Sequence, residues 1–249
     1  MDRPDTILAL EQASLDGLPA LHTERYDGWL IRQSNGYARR ANSVWPLYPS
    51  TLALEEKILH CEASYARAGL PCTFRLTQSS ELDELLAARG YQRDAETVVQ
   101  VLELPTALPR PDIVELASKP DGAWMTTWQT LSDRAPLAGI VEALLQAIPT
   151  PRVYATIQHD GEGVACGRAA MSGDWVGLFD LLVAPNWRRR GFGKELTRAR
   201  LSWGIQQGAR RAFAQVMDQN AAARQLQASL EFVEAYRYWY RSVKTPRER

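Results

Sequence analysis

Leu181-Leu182-Val183-Ala184-Pro185-Asn186-Trp187-Arg188-Arg189-Arg190-Gly191-Phe192-Gly193-Lys194 sets an apolar strand, a turn and a glycine-rich helix start in succession. That order predicts an anion site. A helix N-terminus leaves several backbone N–H groups without partners and carries the positive end of the helix dipole, so a phosphate there is bound by donors that need no side chain. Gly191 and Gly193 remove Cβ atoms that would take the space of an approaching ligand. Arg188, Arg189 and Arg190 strengthen the field locally. The strengthening must be local, because the whole chain of 249 residues balances 29 basic against 29 acidic side chains.

Working outward, the residues around this stretch predict an α/β (α+β) order. Ahead of it lie a strand at Ile113 to Ala117, helices at Gly122 to Ser132 and Leu137 to Ile148, and strands near Arg152 to Gln158, Gly163 to Met171 and Trp175 to Val183. Asp160-Gly161 and Ser172-Gly173-Asp174 supply the turns of that meander. Behind it, Gly193 to Gln207 is a helix with Leu196, Ala199 and Trp203 on one stripe, closed by Gly208. A strand at Ala212 to Met217, a helix at Asn220 to Leu230 and an aromatic strand from Phe232 to Val243 finish the chain.

The stretch Leu104-Pro105-Thr106-Ala107-Leu108-Pro109-Arg110-Pro111 reads as a linker, since three prolines remove the donors that helix and sheet need. The expected domains are therefore 1–104 and 112–249, with 105–111 between them, each a mixed and mostly antiparallel sheet flanked by helices. In the first half, strands at Asp27 to Arg32 and Tyr37 to Val44 are expected to join across Asn35-Gly36. A helix at Leu52 to Ala68, a strand at Cys72 to Leu76, a helix at Ser80 to Arg89 and a strand region from Gly90 to Leu104 follow. Phe74-Arg75-Leu76 lies on Phe213-Ala214-Gln215 and Leu85 with Gly90-Tyr91 on Leu226 with Glu231-Phe232, with a small gap, which reads as a divergent internal repeat.

Arg188, Gly191 and Gly193, preceded by Val183 and Pro185, make the segment resemble the GNAT superfamily of N-acetyltransferases, whose acetyl-CoA signature is Arg or Gln, two residues, Gly, one residue, Gly or Ala. The resemblance covers residues 112 to 243 well and the first half weakly. It implies a loop from Arg188 to Lys194 that holds the cofactor pyrophosphate. It also implies a strand, Leu181-Leu182-Val183, that splays from its neighbour and pairs with the pantetheine arm as an added strand would. An amine would attack the thioester directly, with no covalent enzyme intermediate. Asn220, Ala223, Leu226 and Phe232 fit the family's next motif, and Asn220 joins the expected cofactor contacts. Gln227 stands where the family often has the Tyr that protonates the leaving thiolate, and Glu231 where a Gly ends the helix.

Gln227 cannot act as a general acid, although its amide can donate a hydrogen bond to sulfur. Asp180, on the strand bordering the acetyl group, is a candidate base, with a purely structural carboxylate as the competing reading. Gln215 takes the place of a Glu that serves as base in some relatives. Tyr236, Tyr238 and Tyr240 share one strand face and could line the acceptor site or, with Tyr238 first, replace the missing acid, with half-buried packing as the competing reading. The first half has neither glycines nor basic charge at its matching loop, Asn42 to Thr51, so it is expected to bind no acetyl-CoA. An acyl-CoA-binding sensor without turnover is the alternative to an enzyme.

Cys61, Cys72 and Cys166, with His22, His60 and His159, show no metal-ligand spacing, so no metal is expected. Neutral charge without a basic, aromatic-studded surface argues against nucleic acid. No apolar run approaches the roughly 20 residues that span a bilayer, so a cytoplasmic protein without a membrane partner is expected. The expected partners are acetyl-CoA and an unidentified amine acceptor, and the final strand offers an edge on which a homodimer could pair.

Overall fold

The computed structural model describes residues 3–243. In chain order the first half runs α1 (Arg3–Gly17), β1 (His22–Tyr26), β2 (Trp29–Gln33), β3 (Val44–Pro46), α2 (Leu54–Arg67), β4 (Thr73–Leu76), α3 (Glu81–Ala88) and β5 (Gln92–Glu103). The second half runs β6 (Glu115–Ala117), α4 (Gly122–Leu131), α5 (Ala138–Gln146), β7 (Arg152–His159), β8 (Glu162–Ser172), β9 (Trp175–Val183), α6 (Phe192–Gln206), β10 (Arg211–Met217), α7 (Ala221–Ala228) and β11 (Val233–Ser242). Mixed α/β architecture with a mostly antiparallel sheet agrees with the fold expected from the sequence.

The chain parts into two compact units, though not at the proline-rich stretch. One comprises Met1–Pro19 with Val99–Ala235, the other Ala20–Val98 with Tyr236–Arg249. The expected boundaries at 104 and 112 presume that each half keeps its own last strand. Instead β5 ends in the first unit, where it borders β10 and Leu104 N–H donates to Arg210 O at 2.8 Å. β11 ends in the second unit, antiparallel to β4 with Trp239 opposite Leu76. Because β11 lies between β4 and β5, it is not an edge strand, and the dimer contact expected through it has no free edge to use.

In the first unit the strand order is β5, β10, β9, β8, β7, β6. The meander β7–β8–β9 is antiparallel, and β10 joins β9 in parallel. Asp160 and Gly161 at φ 52° and 80° form the expected tight turn between β7 and β8. Val153, Val176, Leu201, Ala212 and Phe232 fill one cluster and Ala155, Val164, Leu196 and Ala199 another. Helix α1, absent from the sequence reading, lies against β8 and β9, burying Leu10 and Ala13 while Gln12 stays exposed. Gly17 is required there, since a Cβ would fall 2.3 Å from the Phe179 ring.

In the second unit β1, β2, β3, β4 and β11 lie in that order, with β3 and β4 the parallel pair. Trp29, Ile31, Val44, Ile58, Tyr65, Phe74 and Leu86 form its core. Asp27-Gly28 at φ 39° and 81° is the tight turn between β1 and β2; Asn35-Gly36, at φ 48° and 87° with Tyr37 N–H donating to Ser34 O at 3.0 Å, also turns tightly between the antiparallel β2 and β3, but opens a loop instead of leading straight into a strand. The segment from Tyr37 to Ser43 is a loop around a short 3-10 turn at Arg39–Ala41, and the strand begins at Val44. Asn42 explains the difference: its side chain bonds Ser34 N–H at 2.7 Å, Tyr37 O at 2.6 Å and Ala38 O at 3.1 Å, tying the loop back on itself. Among the described residues no helix is long and apolar enough to cross a membrane.

Candidate active site

The parallel contact of β10 with β9 runs only from Arg211 opposite Trp175 to Ala214 opposite Leu178. Beyond it, β9 keeps β8 on its other side as far as Val183 opposite Ala165, while its β10-facing edge has no strand partner among the described residues. Leu181, Leu182 and Val183 lie on this stretch and are half-buried. An extended chain of about that length could be received there as an added strand.

A bulge marks where the two strands part. Cys166 pairs with Leu182 and Arg168 with Phe179, so Asp180 and Leu181 face the single residue Gly167. Asp180 accordingly takes φ 51°, a conformation costly for a residue with a Cβ and kept only where the surroundings hold it. Its Oδ2 accepts from Nε of Arg168, whose side chain is 1% exposed and whose Nη1 donates to Gly17 O at 2.7 Å. Gln215, the first residue of β10 past the paired segment, donates to Ser14 Oγ on α1 at 2.7 Å. Helix α1 therefore borders the parting of β9 and β10, a contribution that sequence reasoning missed because nothing local signals it.

At the other end of the open edge, a short turn at Pro185–Trp187 leads into exposed Arg188, Arg189, Arg190 and Gly191. Gly191 is the N-cap of α6 at φ 88°, with no side chain to cap the helix. The first N–H groups of α6 are thus left for a ligand. A Cβ on Gly191 would meet no heavy atom within 4 Å, so its backbone faces open space as a phosphate cradle needs. Gly193 differs from expectation. Its missing side chain faces protein, 3.3 Å from Leu226 Cδ2 and 3.8 Å from Leu181 Cδ2, so it seats α6 against α7 and β9. Arg188 Nε donates to Val183 O at 3.2 Å, and Arg190 lies 4.6 Å from the Trp187 ring centre, which stacks on Phe192 at 5.6 Å. Lys194 is exposed in the first turn of the helix.

Asn220 caps α7, accepting from Ala223 N–H at 3.1 Å. Gln227 is 5% exposed, and its Oε1 has no hydrogen-bond partner in the protein, a cost sustained only where something else supplies a donor or strain is tolerated. Tyr238 belongs to the second unit, where its ring lies 3.6 Å from the Arg75 guanidinium and 5.6 Å from Tyr240. Burial pushes the phenol of Tyr236 up to about 12 and that of Tyr240 higher still. All three tyrosines of the stripe are buried.

Arg200 is the residue the helical stripe concealed. It is 1% exposed on α6, and desolvation lowers its guanidinium to about 10. Nη1 donates to Arg168 O and to Phe179 O, both at 3.0 Å, and Nε to Leu196 O at 3.0 Å.

The family described as probable histone acetyltransferase Rv0428c C-terminal matches residues 5–241. The probable histone acetyltransferase Rv0428c of Mycobacterium tuberculosis is 31% identical over 228 residues, 87% of this chain and 68% of that protein. The uncharacterized N-acetyltransferase YobR of Bacillus subtilis is 24% identical over 245 residues, 95% of this chain and 98% of that one. Among solved structures, a GCN5-related N-acetyltransferase from Kribbella flavida has a TM-score of 0.68 at 15% identity, covering 97% of this chain and 96% of that chain. A tandem GNAT protein from the clavulanic acid biosynthesis pathway has a TM-score of 0.62 at 13% identity, covering 77% and 70%. With the open strand edge, the bulge and the uncapped helix start all in one unit, the chain belongs to the GNAT superfamily of N-acetyltransferases and to the family of the Rv0428c C-terminal region.

Proposed function

We propose that the chain transfers an acetyl group from acetyl-CoA to a primary amine by direct attack in a ternary complex. The observation that carries this reading is the unpaired edge of β9 beyond Leu178, running toward the uncapped N-terminus of α6. The N–H groups at the start of α6, with Arg188, Arg189, Arg190 and Lys194, would hold the pyrophosphate. Leu181, Leu182 and Val183 would pair with the pantetheine arm, and Asn220 would bound the site from α7. Acetyl-CoA supplies the activated carbonyl: the amine nitrogen bonds to it, the C–S bond breaks, and the nitrogen's proton goes to water or the departing thiolate.

An amine with a pKa of about 10.4 costs roughly 4 to 5 kcal/mol to deprotonate at pH 7. Asp180 is engaged by Arg168, which commits its carboxylate to an ion pair within the protein and works against service as a base. We therefore assign Asp180 to holding the bulge and Gln227 to positioning at the thioester, with the proton passing through water. The relative named as a probable histone acetyltransferase makes lysine-bearing peptides the first acceptors to try.

One cofactor per chain is expected, because the second unit already satisfies its matching loop. There the Asp27 carboxylate accepts from Thr51 N–H and Leu52 N–H, each at 2.9 Å, and pairs with Lys57 at 3.1 Å, so an internal anion takes the donors ahead of α2. Calorimetric titration of acetyl-CoA into the wild type should give one site, abolished by Gly191→Trp with Arg188→Ala. No wild-type binding would overturn the reading, and binding without product across small amines and lysine peptides would leave an acyl-CoA sensor.

A further inference from the structure

We infer that Arg200 is a positioning residue that sets the bulge of β9, and through it the strand edge that receives the pantetheine arm; this rests on the acetyl-CoA reading above. Arg168 and Phe179 are opposite each other on β8 and β9, immediately before the two-against-one mismatch of Asp180 and Leu181 with Gly167. A single nitrogen, Nη1 of Arg200, binds the carbonyl oxygens of both. Nε holds Leu196 O and Nη2 contacts Thr197 Oγ1 at 3.3 Å, so the guanidinium is fixed to α6, the helix whose start faces the expected phosphates.

Room for this clamp comes from Gly167. A Cβ there would lie 2.9 Å from Nη1 and 3.0 Å from Cζ of Arg200, and a guanidinium bonded at four points cannot step aside cheaply. The charged groups near Arg200 are Asp180, which favours its charge, and Arg168, which opposes it. The clamp thus joins three things in one buried cation: the helix of the phosphate loop, the bulge carrying Asp180, and the strand that ties Arg168 to α1. A buried arginine whose hydrogen bonds go to carbonyls and a hydroxyl desolvates a charge without a bonded carboxylate, which a merely space-filling residue at this point of α6 would avoid.

The test compares wild type, Arg200→Met, Gly167→Ala and the double variant, each at a temperature where thermal unfolding shows it folded. Acetyl-CoA and 3′-phospho-ADP, which carries the diphosphate but no pantetheine arm, are titrated into each. Arg200→Met is expected to weaken acetyl-CoA about tenfold or more while leaving 3′-phospho-ADP within about twofold, because only the pantetheine arm needs the strand edge in register, whereas the diphosphate is held at the start of α6. Gly167→Ala should do the same, and the double variant should be no worse than either single change, as both act through one guanidinium. Equal weakening of both ligands, or no weakening of either, would assign Arg200 to stability alone, and additive losses would separate it from Gly167. Amide hydrogen exchange at Phe179 to Leu182 in the unliganded proteins should accelerate in all three variants. That readout stands even if the wild type binds neither ligand, an outcome that sinks the acetyl-CoA reading, whereas unchanged exchange sinks the clamp.

Discussion

Asp27 shows how one side chain can decide what a loop binds. Hydrogen bonds from the Leu52 and Thr51 amides, with Lys57, hold its carboxyl well below the usual carboxylate range. A depressed folded value contributes stability above the unfolded value near 4 that is lost as pH falls through the folded one. Asp27→Asn should therefore unfold at lower urea concentration than wild type at pH 7, with the difference shrinking as the pH is lowered from about 4 toward 2. A gap that stays constant across that range would show that charge on Asp27 is not what holds the loop. At the same scale the sequence pointed to Arg188 and Gly191, which lie exposed at the start of α6, but misassigned the space around Gly193. The spacing of a motif tells which residues lack a Cβ, not which neighbour fills the gap.

Helices α2, α3 and α6 close on Gly69, Gly90 and Gly208, each at positive φ. Helix α7 closes the same way, Phe232 N–H reaching Gln227 O at 3.1 Å and Glu231 N–H reaching Ala228 O at 3.0 Å, but with Glu231 at φ 63°. The left-handed conformation costs a residue with a Cβ roughly 1–2 kcal/mol, part of which glycine returns as unfolded-chain entropy. Glu231→Gly is expected to raise stability by about 1 kcal/mol in urea unfolding, and a loss of stability would mean that the Glu231 side chain makes a compensating contact. The position was legible because the repeat aligns Glu231 with Gly90. Helix α1 was not, since its buried face reads clearly only once β8 and β9 are beneath it.

The molecule as a whole divides by strand exchange rather than at its prolines. Removing residues 1–111 to leave 112–249 would strip β10 of its neighbour β5 and β8 and β9 of α1. That fragment should show no cooperative thermal transition, while the full chain should; a fragment that melts cooperatively would restore the simple two-domain division. The sequence by itself determined the mixed α/β class, the order of elements from Ile113 onward and the family, because these rest on periodicity, turn chemistry and the spacing of a few residues within one continuous stretch. Only the tertiary structure decided that β5 and β11 close each other's half, that Asp180 is held by Arg168, and that Arg200 clamps the bulge from within α6. Those outcomes depend on groups that meet across intervals from 12 residues, as Asp180 meets Arg168, to 151, as Arg168 meets Gly17 O, and no local pattern encodes those meetings.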